Sequence, residues 1–182
     1  MVVTGIGVLC PLGLDTSVTW EGLIAGRSGI DYITLFDPEP LDTTFAGEVK
    51  GFEPTDYISR KDARRMDRFA QLAVAASQQA MEQAGLKINS SNQDSIGVVV
   101  GSGIGGLTTL FEQIKVLLDK GPDRVNPLLV PMMITDMAAA QVSITLGLKG
   151  PNLCITSACS SGSDAIGAAY ELIKRGDTQA MI

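Results

Sequence analysis

Short runs of β-branched residues alternate along this chain with longer helical patterns, and glycines lie at many of the junctions. Residues 2–4, 96–100, 153–157 and 179–182 have the composition of short strands. Parallel strands need a crossover connection, which is usually a helix. The alternation therefore predicts one layered α/β domain with a largely parallel sheet.

The helical patterns carry end signals. Residues 15–26 and 160–175 each finish at or next to a glycine, and residues 107–118 end before a Gly-Pro pair. Residues 130–146 are predicted as one further helix. We expect the large apolar residues of the first and last helices to face the core, namely Trp20, Leu23 and Ile24, and Ile166, Ala169, Tyr170 and Ile173.

The clearest helix is predicted over residues 59–84. Ser59 and Asp62 form a capping box at its start, and Gly85 lies just past its end. Its apolar stripe consists mainly of small side chains suited to close packing: Phe69, Leu72, Ala73, Ala76 and Ala80.

The chain of 182 residues contains no histidine, which limits the chemistry that it can perform alone. An imidazole base, an imidazole metal ligand or a Cys/His pair would have to come from another chain. Three cysteines are too few for a disulfide-stapled scaffold and make a poor zinc set. We therefore expect no metal or cofactor, and each thiol is either core filler or a reactive group.

The charge balance is acidic, with 14 Lys+Arg against 20 Asp+Glu and a pI near 4.6. This balance disfavours general nucleic-acid binding, which needs a basic surface. No apolar run approaches the roughly 18 residues of a membrane span, and the start lacks the basic region of a signal peptide. We expect a cytoplasmic protein that binds neither membrane nor nucleic acid.

Cys159 lies where a strand turns into a helix. A thiol at a helix N-terminus meets unpaired backbone N–H groups and the positive end of the helix dipole, which favour the thiolate. The same N–H groups can stabilise an oxyanion when a thioester carbonyl is attacked. Position alone leaves two interpretations open, a nucleophile or an ordinary buried thiol. Cys154, within the strand, is expected to be core.

Residues 101–106 contain the pattern G-x-G-x-x-G between a strand and a helix. This pattern is typical of dinucleotide-binding turns. Here, however, it follows a middle strand, and no second strand ends about 20 residues further on. A tight turn with close helix–strand packing is the interpretation that we favour.

Five of the 14 basic residues fall within nine positions, namely Arg60, Lys61, Arg64, Arg65 and Arg68. In one continuous helix they would form two adjacent rows. Cations are unfavourable near a helix N-terminus, so local helix stability does not explain them. The two interpretations are a solvated helix face and a docking patch for an acidic partner.

Several motifs, spread along the whole chain, together resemble one family. They are Val-Val-Thr-Gly-Ile-Gly at 2–7, Ala-Gly-Arg-Ser-Gly-Ile at 25–30, Ser-Arg-Lys at 59–61 with Arg65-Met66-Asp67 and Phe69, Gly-Ser-Gly-Ile-Gly-Gly at 101–106, and Gly-Pro-Asn at 150–152 leading to Thr156-Ser157-Ala158-Cys159. In this order they resemble the β-ketoacyl-[acyl-carrier-protein] synthases, above all the type II condensing enzymes of fatty-acid synthesis.

The resemblance implies a thiolase-like α/β fold with a mixed, mostly parallel sheet between helices, assembled as a homodimer. Residues 1–182 would form its N-terminal half, and the C-terminal half, with the catalytic histidines, would be absent. Cys159 would accept an acyl group from acyl carrier protein and pass it to the carbanion formed by decarboxylation of malonyl-carrier protein. This chain alone would therefore be inactive.

The resemblance also implies roles for other residues. Ile104 would line the acyl pocket, and Leu129 and Met133 would approach that pocket across the dimer interface. Lys61, Arg64 and Arg65 would dock the acidic carrier protein. Two alternatives stay open: a polyketide ketosynthase domain, and a non-catalytic partner that resembles a chain-length factor. The second is disfavoured because chain-length factors generally lack the active cysteine.

Overall fold

The computed structural model describes residues 1–182, which form seven α-helices and five strands. None of the helices combines the length and hydropathy that a membrane-spanning helix needs. The elements in chain order are α1 (Thr16–Ile24), β1 (Ile30–Tyr32), β2 (Phe45–Gly47), α2 (Arg60–Ala63), α3 (Arg68–Gln83), β3 (Ile96–Gly101), α4 (Leu107–Lys120), α5 (Leu129–Met133), α6 (Met137–Leu146), β4 (Asn152–Ile155), α7 (Ser161–Arg175) and β5 (Ala180–Met181).

The central sheet has the strand order β4-β3-β5, and both pairings are parallel. Val100 pairs with Cys154 and Gly101 with Ile155, so β3 and β4 end side by side. Antiparallel pairing occurs in a separate two-stranded ribbon of β1 and β2. The expected α/β architecture is confirmed, and the strand that precedes Cys159 ends next to the glycine-rich turn.

Helices cover both faces of the sheet. On one face α6 packs against β3, with α3 against α6, and the fully buried side chains of Val74, Val98 and Val142 link these three elements. On the other face Ala165 and Leu172 of α7 pack against Val99. A strand that is covered by helices on both faces is expected to carry buried β-branched side chains in succession, and Val98 and Val99 of β3 do so.

The predicted helix ends are confirmed at several positions. Asp15 caps α1 by accepting a hydrogen bond from the Val18 N–H at 2.8 Å. Ser59 Oγ accepts from the Asp62 N–H at 3.1 Å, which is the N-cap half of the predicted capping box, while the Asp62 carboxylate accepts from the Ser59 hydroxyl at 2.7 Å rather than from the Ser59 N–H. Gly85, just past α3, has a φ of +62°. These local hydrogen bonds depend on neighbouring residues only, which is why the sequence predicts them.

The predicted first strand, residues 2–4, is wrong. The N-terminal segment lies beside α3, where the N–H groups of Ile6 and Val8 donate to the Gln83 and Gln79 side chains at 2.6 and 3.0 Å. A cleft of about 390 Å³ is lined on one side by residues 7–9 of this segment and on the other by residues 100–102 at the end of β3. The expected close packing of α3 is confirmed here, since a Cβ at Gly7 would lie 1.9 Å from the Ala76 carbonyl oxygen.

The single helix predicted over residues 59–84 is interrupted. The backbone leaves the helix after Ala63, and Asp67 caps a new helix by accepting from the Phe69 N–H at 3.2 Å. Arg68 therefore does not continue the basic row. Its guanidinium donates to the Val49 carbonyl at 2.7 Å and lies 5.4 Å from the Phe52 ring centroid.

The helix predicted over residues 130–146 is also two helices. The carbonyl of Met133 accepts a hydrogen bond from the Gly106 N–H at 2.8 Å, instead of continuing an α-helical ladder. A Cβ at Gly105 would lie 2.4 Å from the same carbonyl oxygen. The glycine-rich turn thus packs into the break between α5 and α6, a tertiary contact that periodicity does not reveal.

The expected inward faces of two helices need correction. In α1 the buried residues are Thr19 and Gly22, whereas Trp20, Leu23 and Ile24 are exposed. In α7 the buried residues include Ala165 and Leu172, while Ala169 and Ile173 are half-buried and Ile166 and Tyr170 are exposed. Both helices carry apolar side chains on more than one side, so their patterns did not determine which side faces this core.

Candidate active site

Cys159 lies in a single 3₁₀ turn, Ala158–Ser160, between β4 and α7. Its thiol is exposed and belongs to no disulfide. The turn, loop and capping hydrogen bonds of the backbone do not use the Cys159 N–H. The predicted position at a strand-to-helix turn is correct, and both a thiol and a free N–H donor are available at the surface.

The backbone of this turn is strained next to the cysteine. Ala158 is the one non-glycine residue with a positive φ, +52°. Such a conformation costs a non-glycine residue about 1–3 kcal/mol and persists only where its surroundings hold it. Ser161, which is buried, accepts from the Ser157 N–H at 2.9 Å and donates to the Ala158 carbonyl at 2.7 Å. This side chain bridges the turn from both sides.

The glycine-rich turn packs directly against the cysteine turn. A Cβ at Gly101 would lie 2.2 Å from the Ser161 carbonyl oxygen, so the backbones approach as closely as a glycine allows. A Cβ at Gly103 would be 3.7 Å from the Ala158 carbonyl oxygen. The Thr156 hydroxyl donates to the Ser102 carbonyl at 2.9 Å, which ties the two turns together.

Two of the three expected pocket residues meet at the glycine-rich turn. Ile104, at its tip, exposes 70% of its surface, so this side chain is available to a ligand. Met133 is joined to the turn through its carbonyl, which accepts from the Gly106 N–H. Leu129 lies one helical turn before Met133 on α5, and both are half-buried. The structure brings Met133 to the Ile104 turn by a direct contact and Leu129 through their shared helix.

The N-terminus of α4 is occupied by a protein carboxylate. Asp67, which is 5% exposed, accepts from the Thr109 N–H at 2.8 Å and from the Thr109 hydroxyl at 2.6 Å. A dinucleotide-binding turn would direct such N–H groups at a pyrophosphate. The contacts therefore support the interpretation of residues 101–106 as a packing turn.

Lys61, Arg64 and Arg65 are exposed and form no salt bridge. They belong to α2 and to the bend that follows it. Asp67, at the end of this bend, contacts α4, whose first turn follows the glycine-rich turn. The basic segment therefore lies at the same end of the sheet as Cys159.

The other two thiols have different surroundings. Cys154 is half-buried in β4 and belongs to neither buried cluster, so it is less buried than the expected core role requires. Cys10 is half-buried near α1, with its Sγ 3.5 Å from the Thr19 hydroxyl. That hydroxyl, together with the N–H groups of Leu12 and Gly13, lowers the pKa of Cys10 against the effect of burial. The sequence patterns gave no indication of this environment.

Three residues that flank the cysteine turn were missed as site residues, although they are close in sequence to Cys159. Ser157 and Ser161 hold the turn from both sides, and Asp164 accepts a hydrogen bond from the Ser157 hydroxyl. The available signal was a carboxylate in the first turn of a helix that begins with several serines. That signal is common at helix starts, so it does not distinguish a catalytic turn from an ordinary cap.

The chain belongs to the β-ketoacyl synthase family, because the family model "Beta-ketoacyl synthase, N-terminal domain" matches residues 1–182. It is 50% identical over 182 residues to 3-oxoacyl-[acyl-carrier-protein] synthase 2 of Staphylococcus aureus (strain COL), which covers 100% of this chain and 44% of that protein. The chain thus spans less than half the length of this curated relative.

Solved structures show the same thiolase-like ketosynthase fold. A β-ketoacyl synthase from Burkholderia phymatum STM815 superposes with a TM-score of 0.83 at 32% identity, covering 97% of this chain and 44% of that one. The ishigamide ketosynthase/chain length factor superposes with a TM-score of 0.87 at 30% identity, with the same coverage. The fold class implied by the sequence resemblance is therefore confirmed.

Proposed function

We propose that this chain is the N-terminal half of a 3-oxoacyl-[acyl-carrier-protein] synthase, in which Cys159 accepts the acyl group during fatty-acid elongation. The observation that carries the proposal is an exposed thiol at the start of α7, in a chain that belongs to this family. The unused Cys159 N–H is one donor for the oxyanion that forms when a thioester carbonyl is attacked.

The proposed reaction has two stages. The Cys159 thiolate attacks the thioester of acyl-carrier protein, forms a new thioester and releases the carrier thiol. Malonyl-carrier protein then loses CO₂, its carbanion attacks the Cys159 thioester, and the C–S bond breaks as the C–C bond forms. The imidazole groups of this second stage come from outside these 182 residues, which contain no histidine, so this chain alone does not complete condensation.

Ile104, Leu129 and Met133 form part of the acyl pocket in this proposal. The exposure of Ile104 and the hydrogen bond between the Gly106 N–H and the Met133 carbonyl support it. Because the Ile104 turn packs against the cysteine turn, a change of side chain at its tip lies near an acyl group bound to Cys159.

Lys61, Arg64 and Arg65 dock the acidic acyl carrier protein in this proposal. Three unpaired cations at the nucleophile's end of the sheet, on a chain with a net charge of −6, support it. Complementary charge raises the rate of encounter and orients the partner. The alternative, a merely solvated face, gives no reason for the position of these cations beside the site.

A homodimer is the proposed assembly. The support is a row of exposed apolar side chains along one side of α4, at helical spacing: Leu107, Phe111, Ile114 and Leu118. A contiguous apolar row on the surface is typical of an interface. Analytical ultracentrifugation of the full-length protein measures this directly, and a strictly monomeric protein would contradict the proposal.

The proposed pathway is fatty-acid synthesis in the cytoplasm. A polyketide role is the second candidate, because a ketosynthase/chain length factor has a similar fold. Identity is 50% to the 3-oxoacyl-[acyl-carrier-protein] synthase 2 relative and 30% to that structure, which favours the fatty-acid role. A chain-length-factor role is disfavoured by the exposed Cys159.

The test is the formation of an acyl-enzyme by the full-length protein. After incubation with acyl-carrier protein, intact mass and peptide mapping should show one acyl group on Cys159. Cys159→Ala should abolish the adduct, whereas Cys154→Ser, at a half-buried strand position, should retain it. An adduct that persists in Cys159→Ala would overturn the assignment of the nucleophile.

A further inference from the structure

Asp164, in the first turn of α7, accepts hydrogen bonds from serine side chains on both sides of Cys159. Its Oδ2 accepts a hydrogen bond from the Ser157 hydroxyl. The Ser160 hydroxyl lies 3.2 Å from the same oxygen and 2.8 Å from the Ser157 carbonyl, so its single proton is shared between them. Asp164 forms no salt bridge. Its contacts therefore belong to the cysteine turn.

The contacts of Asp164 complete the hydrogen bonding of Ser157. The Ser157 N–H donates to Ser161 Oγ at 2.9 Å, and its hydroxyl donates to Asp164. Ser157 directly precedes Ala158, whose φ is +52°. A non-glycine residue keeps this conformation only where its neighbours hold it. Ser157 is therefore held by three side chains: Ser161 accepts from its N–H, Ser160 reaches its carbonyl, and Asp164 is the one that accepts from its hydroxyl.

Electrostatics does not account for a carboxylate at this position as an activator of the thiol. The positive end of the α7 dipole favours negative charge, and a carboxylate there competes with a thiolate for the same stabilisation. A nearby negative charge also disfavours the ionised form of a thiol. The favourable contribution of Asp164 to the site is therefore geometric.

We propose that Asp164 is a positioning residue: through Ser157 it holds the strained turn that presents the Cys159 thiol and N–H to the acyl thioester. This inference rests on the proposed function of Cys159 as acyl acceptor. Asp164 does not contact the reacting atoms itself. Removing its hydrogen bond should misalign the thiol and its N–H without altering the surface that docks the carrier.

The test compares Asp164→Ala with Asp164→Asn in the full-length protein. Both variants remove the charge, but the asparagine oxygen still accepts from the Ser157 hydroxyl. Asp164→Ala should lower kcat for acyl transfer to Cys159 on the order of tenfold to a hundredfold, with KM for acyl-carrier protein unchanged. Asp164→Asn should restore most of this loss. An asparagine variant as slow as the alanine variant would overturn the proposal.

A double-mutant cycle tests whether Asp164 acts through Ser157. Ser157→Ala should resemble Asp164→Ala, and the double variant should be no slower than either single variant. Effects that multiply would contradict a shared role. Glu171→Ala is the matched control, because Glu171 lies on the same helix and pairs with Lys174 at 3.6 Å, away from the turn. It should change neither kcat nor KM.

Iodoacetamide labelling separates failure of this inference from failure of the proposed function. The labelling rate of Cys159 reports the presentation of the thiol, whatever group it carries in catalysis. If the wild-type protein forms no acyl-enzyme, the proposed function fails, and a labelling rate that still differs between Asp164→Ala and Asp164→Asn supports the positioning role. Normal acyl transfer and equal labelling in both variants would overturn the positioning role alone.

Discussion

At the scale of single residues, two thiols have surroundings that differ in kind. Cys159 is exposed at the start of a 15-residue helix, in a turn held by serine and aspartate side chains. Cys10 lies outside any helix, and its pKa is lowered mainly by the hydroxyl of Thr19. Any experiment with an alkylating reagent must therefore distinguish the two thiols by peptide mapping.

Replacing Thr19 by valine should raise the pKa of Cys10 towards that of a free thiol, because the largest stabilising hydrogen bond to the thiolate is lost. At neutral pH, labelling of Cys10 by iodoacetamide should slow severalfold. The measurement is the pH profile of labelling in a Cys159→Ala background. Thr19→Ser, which keeps the hydroxyl, is the control, and an unchanged profile in Thr19→Val would contradict the assignment.

The sign of the linked effect on stability follows from the direction of this shift. A pKa that is lower in the folded state than in the unfolded state contributes stability above the unfolded pKa. That contribution disappears as the pH falls through the folded pKa of Cys10. Thr19→Val should therefore remove the part of the free energy of unfolding that depends on the titration of Cys10. At a pH below the folded pKa of Cys10, the pH dependence of unfolding should be the same in the variant and the wild type.

At the scale of elements, the start of α7 depends on a glycine in β3. Gly101→Ala would put a Cβ 2.2 Å from the Ser161 carbonyl oxygen and 2.6 Å from the Gly162 nitrogen, both backbone atoms. Overpacking of this kind costs about 1–3 kcal/mol. We expect the variant to lower the free energy of unfolding by that amount and to slow labelling of Cys159, since the displaced helix carries the cysteine turn.

Gly167→Ala is the matched control for this prediction. Gly167 lies within α7, where a Cβ would meet no atom within 4 Å of its position. Alanine is the better helix former by about 1 kcal/mol, so this variant should be neutral or stabilising in this chain. Denaturant unfolding, with Cys159 labelling on the same samples, compares the two. Equal stability of Gly101→Ala and wild type would refute the packing argument.

At the scale of the whole molecule, three exposed cations lie together on a chain that is acidic overall. A net charge of −6 would repel an acidic partner, yet Lys61, Arg64 and Arg65 are unpaired beside the candidate site. Local complementarity of this kind acts mainly on association rate and orientation, and salt screens it. The surface charge is therefore where carrier docking can be tested without touching the nucleophile.

Reversing Arg64 and Arg65 to glutamate in the full-length protein should raise KM for acyl-carrier protein about tenfold or more at low salt. The difference from wild type should shrink as salt increases, because exposed charges are screened. Steady-state kinetics over a range of ionic strengths measures both. kcat at saturating carrier should change little, since neither arginine contacts the cysteine turn.

Reversing Lys87 and Lys149 provides a control with the same change in net charge. Both are exposed, and the Lys149 N–H donates to Gln93, just before β3, at the opposite end of the sheet from Cys159. If this control raises KM as much as the arginine variant, net charge rather than a docking patch explains the effect. An arginine variant with wild-type kinetics would remove the docking proposal.

The sequence by itself determined the features that depend on neighbours along the chain. These are the start of the first helix near residue 15, the cap at Ser59, the strand of residues 96–100, the glycine that follows α3, and the position of Cys159 between a strand and a helix. Hydrogen bonds within one turn and short β-branched runs need no distant partner, so their residues suffice to predict them.

Only the tertiary structure decided where the helices break and which faces they bury. The helix that ends at Ala63 restarts only at Asp67, whose buried carboxylate caps α3 and also binds Thr109, 42 positions away. At the break before α6, the Met133 carbonyl accepts a hydrogen bond from the Gly106 N–H instead of one from the next helical turn. The side of α7 that carries Ile166 stays exposed because Ala165 and Leu172 fit the sheet. Each is a contact between distant residues, which no local periodicity encodes.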